Sequence, residues 1–115
     1  MLPKKHRLNL KIDRNRVTEK ARTVKLPTLT LLIAKQDHSS HLSRFAVITS
    51  KKLTSSSVAR HRLKRKILQV INQNISALPA GLDVIIIPHK SALTFDYQQL
   101  APIILNGLKK YSLES

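Results

Sequence analysis

The sequence predicts a single mixed α/β domain, and three observations carry the prediction. The chain has 115 residues, 42% of them hydrophobic, enough for one core and too few for two. Short β-rich apolar runs occur at Thr28–Lys35, Arg44–Ser50 and Asp83–Pro88. Between the last two lies a long segment whose apolar residues recur at three- and four-residue spacing, the mark of a helix with one buried stripe. Aromatic residues are only 3% of the chain, so the core must be built from Leu, Ile and Val.

Taken from the start, Met1–Lys11 is basic, carries Pro3, and reads as an extended arm on a domain spanning 1–115. Asp13 is a candidate N-cap for a short helix running to about Arg22. Leu10, Val17 and Ala21 mark its buried face, ringed by Lys11, Arg14, Arg16, Lys20 and Arg22. Pro27 punctuates the junction to the run TLTLLIAK at Thr28–Lys35, expected to be a largely buried strand. QDHSSHLS at 36–43 has turn composition, so the strand at Arg44–Ser50 is expected to form a hairpin with the one before it. Lys51–Ser57 is polar and ends in serines that suit a helix cap. The helix from about Val58 to Ile75 follows, with Leu63, Ile67, Val70 and Ile71 as its stripe, and Pro79 and Gly81 end it. DVIIIP at Asp83–Pro88 is apolar enough for a strand buried on both faces. A last helix is expected over Leu93–Tyr111, with Asp96 near its start and Lys109 and Lys110 near its end, the signs a helix dipole favours. Pro102 then requires that helix to start later or to bend. The predicted order is helix, two or three strands, helix, strand, helix.

Charge narrows the function. Twenty-one Lys and Arg face six Asp and Glu, a formal +15. A compact domain with that excess repels itself unless a polyanion neutralises it, and nucleic acid is the usual one. No acidic residue lies between Asp37 and Asp83, whereas Lys51, Lys52, Arg60, Arg62, Lys64, Arg65 and Lys66 crowd into one stretch. The positive field is therefore a patch. With no cysteine, disulfides, thiol catalysis and thiolate metal sites are excluded. No apolar run approaches the ~20 residues of a membrane span, and no apolar stretch follows the basic start, so the cytoplasm is the expected location.

On a helix, Leu63 and Ile67 point to the core, Arg62 and Lys66 fall on one flank, Lys64 on the other, and Arg65 points away. Five bases in the seven positions 60–66 thus cover most of the exposed surface of two turns. Arg supplies planar two-pronged phosphate contacts and Lys a mobile point charge, a mixture suited to an irregular RNA backbone. A solvated basic face explains one or two such residues but not five without an acidic neighbour.

Arg60-His61-Arg62-Leu63-Lys64-Arg65 resembles the Arg-Asn-Arg-x-Lys-Arg signature of the bacterial ribonuclease P proteins, with His61 in the place of Asn. Lys51-Lys52 after a strand and Lys5-His-Arg-Leu8 near the start are also family-like, and the order of elements agrees along nearly the whole chain. The resemblance implies an α/β sandwich like the second domain of ribosomal protein S5, with a left-handed β-α-β crossover. It implies the accessory subunit of an RNA-based endonuclease that removes the 5′ leader of precursor tRNA. The catalytic RNA would be the partner and would hold the Mg²⁺ ions, leaving the protein to screen phosphate charge. Lys51, Lys52, Arg60, His61, Arg62, Lys64, Arg65 and Lys66 are then the expected RNA contacts. Departures from the family pattern are Thr54 for a Gly, Gln69 for an acid, Arg14 and Thr18 for two Phe, and Leu29 and Leu32 for strand aromatics. A leader cleft formed by Arg14, Thr18, Lys20, Leu29 and Leu32 would accordingly lack base stacking, worth ~1–3 kcal/mol per base.

The alternatives are a ribosomal or other structural RNA-binding protein and, further off, a self-sufficient nuclease or a basic membrane-surface protein. His38 and His41 form an HxxH pair in a serine-rich turn, a pattern more often solvated than metal-binding. With six scattered acids, no Gly-rich phosphate loop and no Ser/His/Asp pattern, the chain offers no catalytic or metal residues of its own.

Overall fold

The computed structural model describes residues 2–36 and 42–114, except the side chains of 112–114. Helix α1 (Leu10–Lys20) is followed by strands β1 (Arg22–Lys25), β2 (Leu29–Lys35) and β3 (Arg44–Val47), helix α2 (Ser57–Gln73), strand β4 (Leu82–Pro88) and helix α3 (Tyr97–Glu114). The four strands form one sheet in the order β1-β2-β4-β3. β1 and β2 are antiparallel, β2 and β4 antiparallel, and β3 and β4 parallel, so α2 is the crossover of a β-α-β unit.

The expected hairpin between the second and third apolar runs does not form. β4 lies between them, paired to β2 from Leu29↔Pro88 to Lys35↔Leu82 and to β3 from Arg44↔Asp83 to Val47↔Ile86. The reason is burial: β4 is the most apolar strand, with Val84, Ile85 and Ile86 all 0% exposed, and only a central place covers both its faces. The hairpin that does form joins β1 to β2 around Pro27, with Leu26 N donating to Leu29 O at 2.9 Å. β1 is short, basic and mostly exposed, so it left no apolar signal of its own.

β2 alternates. Leu29, Leu31 and Ile33 face the layer made by α2 and α3, where Leu63, Ile67, Val70, Ile71, Leu100, Ile104 and Leu108 complete the larger core. Leu32 and Ala34 face the other way, joining Leu8, Val17, Ala46 and Ile85 beneath α1. Leu10 and Ala21 pack against this second cluster, as their spacing from Val17 predicted. Gly107 seats α3 against the sheet: a Cβ there would stand 2.8 Å from Leu31 Cδ1 and 2.9 Å from Leu26 Cδ1.

The helix ends follow local chemistry. α1 starts at Leu10, capped by the Asn9 side chain on Lys11 N at 3.1 Å, and Asp13 lies inside its first turn rather than at its cap. α2 is capped by Ser56, whose Oγ accepts from Ala59 N at 3.1 Å. α3 begins at Tyr97, where Asp96 and Gln99 exchange side-chain and backbone hydrogen bonds of 2.9 and 3.0 Å. A 3₁₀ turn over Lys90–Thr94 precedes it. This later start leaves Pro102 near the beginning of the helix on an exposed face, where the Gln98 carbonyl it cannot bond is open to water.

The basic start is not detached from the domain. Lys4–His6 forms a 3₁₀ turn, Leu2 and Leu8 enter the core, and Arg7 bridges to Phe45 at the edge of β3. His6 Nδ1 bonds the Ser43 carbonyl at 2.9 Å, pinning the segment from inside. The HxxH pair, His38 and His41, lies outside the described residues.

Candidate nucleic-acid interface

The buried stripe of α2 aims its other faces outward. Leu63 is 1% exposed, and Ile67, Val70 and Ile71 are fully buried. Arg62 and Arg65, together with His61, are exposed. With Ser57, Val58, Lys66 and Gln69 they line an open concavity of about 680 Å³. The flanks divide as helical spacing dictates. Lys66 sits on the α3 side, donating Nζ to the Phe95 carbonyl at 3.2 Å. Lys64 sits on the β3 side, in a groove of about 320 Å³ shared with Leu8, Arg7 and Lys11. That groove brings Arg7 and Lys11, two bases of the N-terminal segment, beside Lys64, a juxtaposition that an extended arm does not predict.

Arg60 departs from the outward set. Seven residues before Ile67, it shares the azimuth of the buried stripe and turns back to donate Nη1 to the Thr54 carbonyl at 2.8 Å. It braces the loop that carries Lys51 and Lys52, both exposed in a turn closed by Leu53 N to Ser50 O at 3.0 Å. Leu53 is buried and anchors that turn to the core. The structure thus brings His61, Arg62, Arg65 and Lys66 together in one concavity, sets Lys64 on the opposite flank of α2, and leaves Lys51 and Lys52 on the turn that Arg60 braces.

Among the described residues, no carboxylate pairs with these bases. Two acids are committed elsewhere, under α1. Asp83 is 0% exposed and accepts from Arg16 Nη2 at 2.7 Å, Arg44 Nε and Nη2 at 2.9 and 2.8 Å, and Gln36 Nε2 at 3.0 Å. Asp13 closes the cluster with Arg16 at 3.2 Å and Arg44 at 3.6 Å. Burial pushes the Asp83 carboxyl pKa up, but hydrogen bonds from Arg44 and Arg16 outweigh it and hold the pKa below its ordinary value. Both guanidinium pKa values are correspondingly raised, chiefly by the hydrogen bond to Asp83.

The structure does not bring the five residues expected to form a leader cleft onto one surface. Leu29 is 0% exposed in the core under α2 and α3, on the opposite face of β2 from Leu32, so it cannot line a surface with it. The signal was in the sequence, because residues three apart on a strand face opposite ways. Thr30 is the residue that shares the face of Leu32, with its Oγ1 2.8 Å from His89 Nε2. Arg14 and Thr18, one turn apart and exposed, share one flank of α1, where Thr18 Oγ1 donates to the Arg14 carbonyl at 2.7 Å. Lys20 is one turn beyond Arg16 and belongs to the other flank.

Comparison with known proteins places this architecture. The family model described as Ribonuclease P matches residues 2–112. A ribonuclease P protein component from Pseudanabaena sp. is 29% identical over 110 residues, 96% of this chain and 94% of the relative. Another from Finegoldia magna is 38% identical over 55 residues, a match spanning 48% of this chain and 49% of the relative. Among solved structures, the Thermotoga maritima RNase P protein superposes with a TM-score of 0.81 at 23% identity, covering 90% of this chain and 96% of that one. The Staphylococcus aureus RNase P protein gives 0.79 at 24% identity, covering 92% and 94%. These two establish the fold, and the family match over almost the whole chain does the rest: the chain belongs to the ribonuclease P protein family, the protein components of that tRNA-processing endoribonuclease.

Proposed function

We propose that the cationic surface at the start of α2 binds the catalytic RNA of ribonuclease P, and that the assembled enzyme removes the 5′ leader of precursor tRNA in the cytoplasm. The observation that carries this reading is the uncompensated charge. The α2 bases and Lys51 and Lys52 have no acidic partner among the described residues, while the buried acid Asp83 is saturated by Arg16 and Arg44. Cations held apart from the protein's own anions are free to screen those of a partner. A structural RNA-binding protein without processing activity would need the same surface, and family membership argues against it.

Among the described residues, the chain's donors do not fit Mg²⁺. The ion asks for carboxylate oxygens and waters in an octahedron. The oxygens of Asp83 are occupied by guanidinium and amide donors, and no three His, Asp or Glu residues converge among those described. The metal belongs in this reading to the RNA. Arg14, Thr18 and Leu32 then give substrate contacts of charge and aliphatic surface. Phe45 and Tyr111 are buried in the main core and Phe95 and Tyr97 pack against it on the α2–α3 side of the sheet, away from Leu32.

The test is precursor-tRNA cleavage by the cognate RNA at low salt, with and without the chain. Cleavage is expected to be faster with the chain present and absent when the chain is supplied without RNA. Cleavage that the chain leaves unchanged, together with its co-sedimentation with ribosomal subunits, would transfer it to the structural class.

A further inference from the structure

The outer face of α2 changes character halfway along. Arg62 and Arg65 are followed on the same face by Gln69, Asn72 and Gln73, and from Ile67 to Leu82 the chain carries no charge at all. The concavity that holds His61, Arg62, Arg65, Lys66 and Gln69 runs directly into a second one of about 390 Å³ lined by Arg65, Gln69, Asn72 and Gln73. From Arg62 to Gln73 the trough is about 17 Å long at ~1.5 Å per residue.

Several other amides of the fold are engaged within it. Asn74 donates Nδ2 to the Val70 carbonyl and to Tyr97 Oη, Gln99 caps α3, and Gln36 donates to Leu42 O, Leu82 O and Asp83. Gln69, Asn72 and Gln73 make no side-chain hydrogen bond among the described residues, although Asn72 is half-buried. Asn15, Gln98 and Asn106 make none either, so what distinguishes the three is that they share one trough with Arg65. Asn is also a poor helix former, so local propensity does not account for it at position 72. A merely solvated helix face in so basic a protein would be expected to carry Lys or Glu.

We infer that Gln69, Asn72 and Gln73 form a second half of the RNA interface, which reads the minor groove of an A-form helix in the partner RNA while Arg62, Arg65 and Lys66 hold the adjoining phosphates. The inference rests on the RNA-binding reading of the cationic half. The chemistry matches: the A-form minor groove is wide and shallow and displays 2′-hydroxyls and base edges that both donate and accept. An amide offers a carbonyl acceptor and two N–H donors to such a surface, whereas Lys or Arg would be drawn to the phosphates instead.

The experiment measures binding of the full chain to its cognate ribonuclease P RNA across a salt series. It compares the parent, a Gln69→Ala/Asn72→Ala/Gln73→Ala variant and an Arg62→Ala/Arg65→Ala variant. Alanine raises helix propensity at all three amide positions, so the first variant should keep its fold, as circular dichroism verifies. The amide variant is expected to bind roughly tenfold or more weakly, with an unchanged salt slope, because neutral hydrogen bonds release no counterions. The arginine variant should flatten the slope. Substituting 2′-deoxynucleotides block by block through the RNA helices should then locate one block that weakens the parent but adds nothing to the amide variant. An amide variant that binds like the parent, or a loss that is additive with every block, overturns the inference while a flattened slope in the arginine variant leaves the first reading standing. If the arginine variant also matches the parent, the RNA-binding reading itself fails.

Discussion

Replacing Asp83 with Ala should lower the unfolding free energy by about 3 kcal/mol, measured by urea titration at neutral pH. Breaking a buried ion pair from one side costs ~3–5 kcal/mol because the surviving charge is left unpaired. The low end applies here, since the side chains of Arg16 and Arg44 remain 26% and 27% exposed and can partly rehydrate. Asp13 also stays within 3.6 Å of both guanidinium groups. Against a total of ~5–15 kcal/mol for a small domain, that loss is a large fraction. The pH dependence follows from the direction of the shift. A carboxyl whose folded pKa lies below its unfolded value contributes fully above the unfolded value, near 3.8, and that contribution disappears as pH falls through the folded pKa. The gap between parent and Asp83→Ala should therefore be constant from pH 7 to about 5 and close in stronger acid. A gap that widens on acidification would show that the Asp83 pKa is raised, contrary to its arginine partners.

Changing Arg60, Arg62 and Arg65 together to Ala should weaken binding to the cognate RNA roughly 100-fold at ~0.15 M salt. The estimate comes from counterion release: each lost phosphate contact flattens the log–log salt slope by ~0.7–0.9, so three flatten it by about 2–3. Relative to ~1 M salt, where the electrostatic contribution is small, that is close to two decades at ~0.15 M. Cleavage at limiting protein should then fail at lower salt than with the parent. The Arg60 share has a second origin, since its loss also frees the Thr54 carbonyl and loosens the turn bearing Lys51 and Lys52. Restoring Arg60 alone should recover more than one third of the lost affinity. Equal behaviour of triple variant and parent at every salt concentration would remove the assignment of these residues.

What the sequence made legible is what local periodicity and capping control. The α2 stripe, its serine cap and the division of Arg62, Lys64 and Lys66 between flanks all follow from 3.6 residues per turn, and the structure keeps them. Strand pairing was not legible in the same way, because it is decided between residues far apart in sequence. The DVIIIP run already read as buried on both faces, which is the property that places β4 between β2 and β3 and breaks the expected hairpin. Asp13 looked like a cap because it is acidic and near a helix start, yet its partners Arg16 and Arg44 come from two elements. At the candidate site the cationic cluster was visible as composition, but the inward turn of Arg60 depends on where the Thr54 carbonyl lies. Leu29 matches a cleft position in the family pattern, yet strand alternation puts it on the face opposite Leu32.

Lysine labelling of the chain, free and bound to its cognate RNA, tests most directly whether the exposed side of α2 is the RNA-facing surface. Lys51, Lys52, Lys64 and Lys66 should become protected from an amine-reactive reagent on binding, while Lys109 and Lys110, exposed on α3, keep their reactivity. Protection of Lys109 and Lys110 with Lys64 and Lys66 still reactive would put the RNA on the last turns of α3 instead and contradict the account.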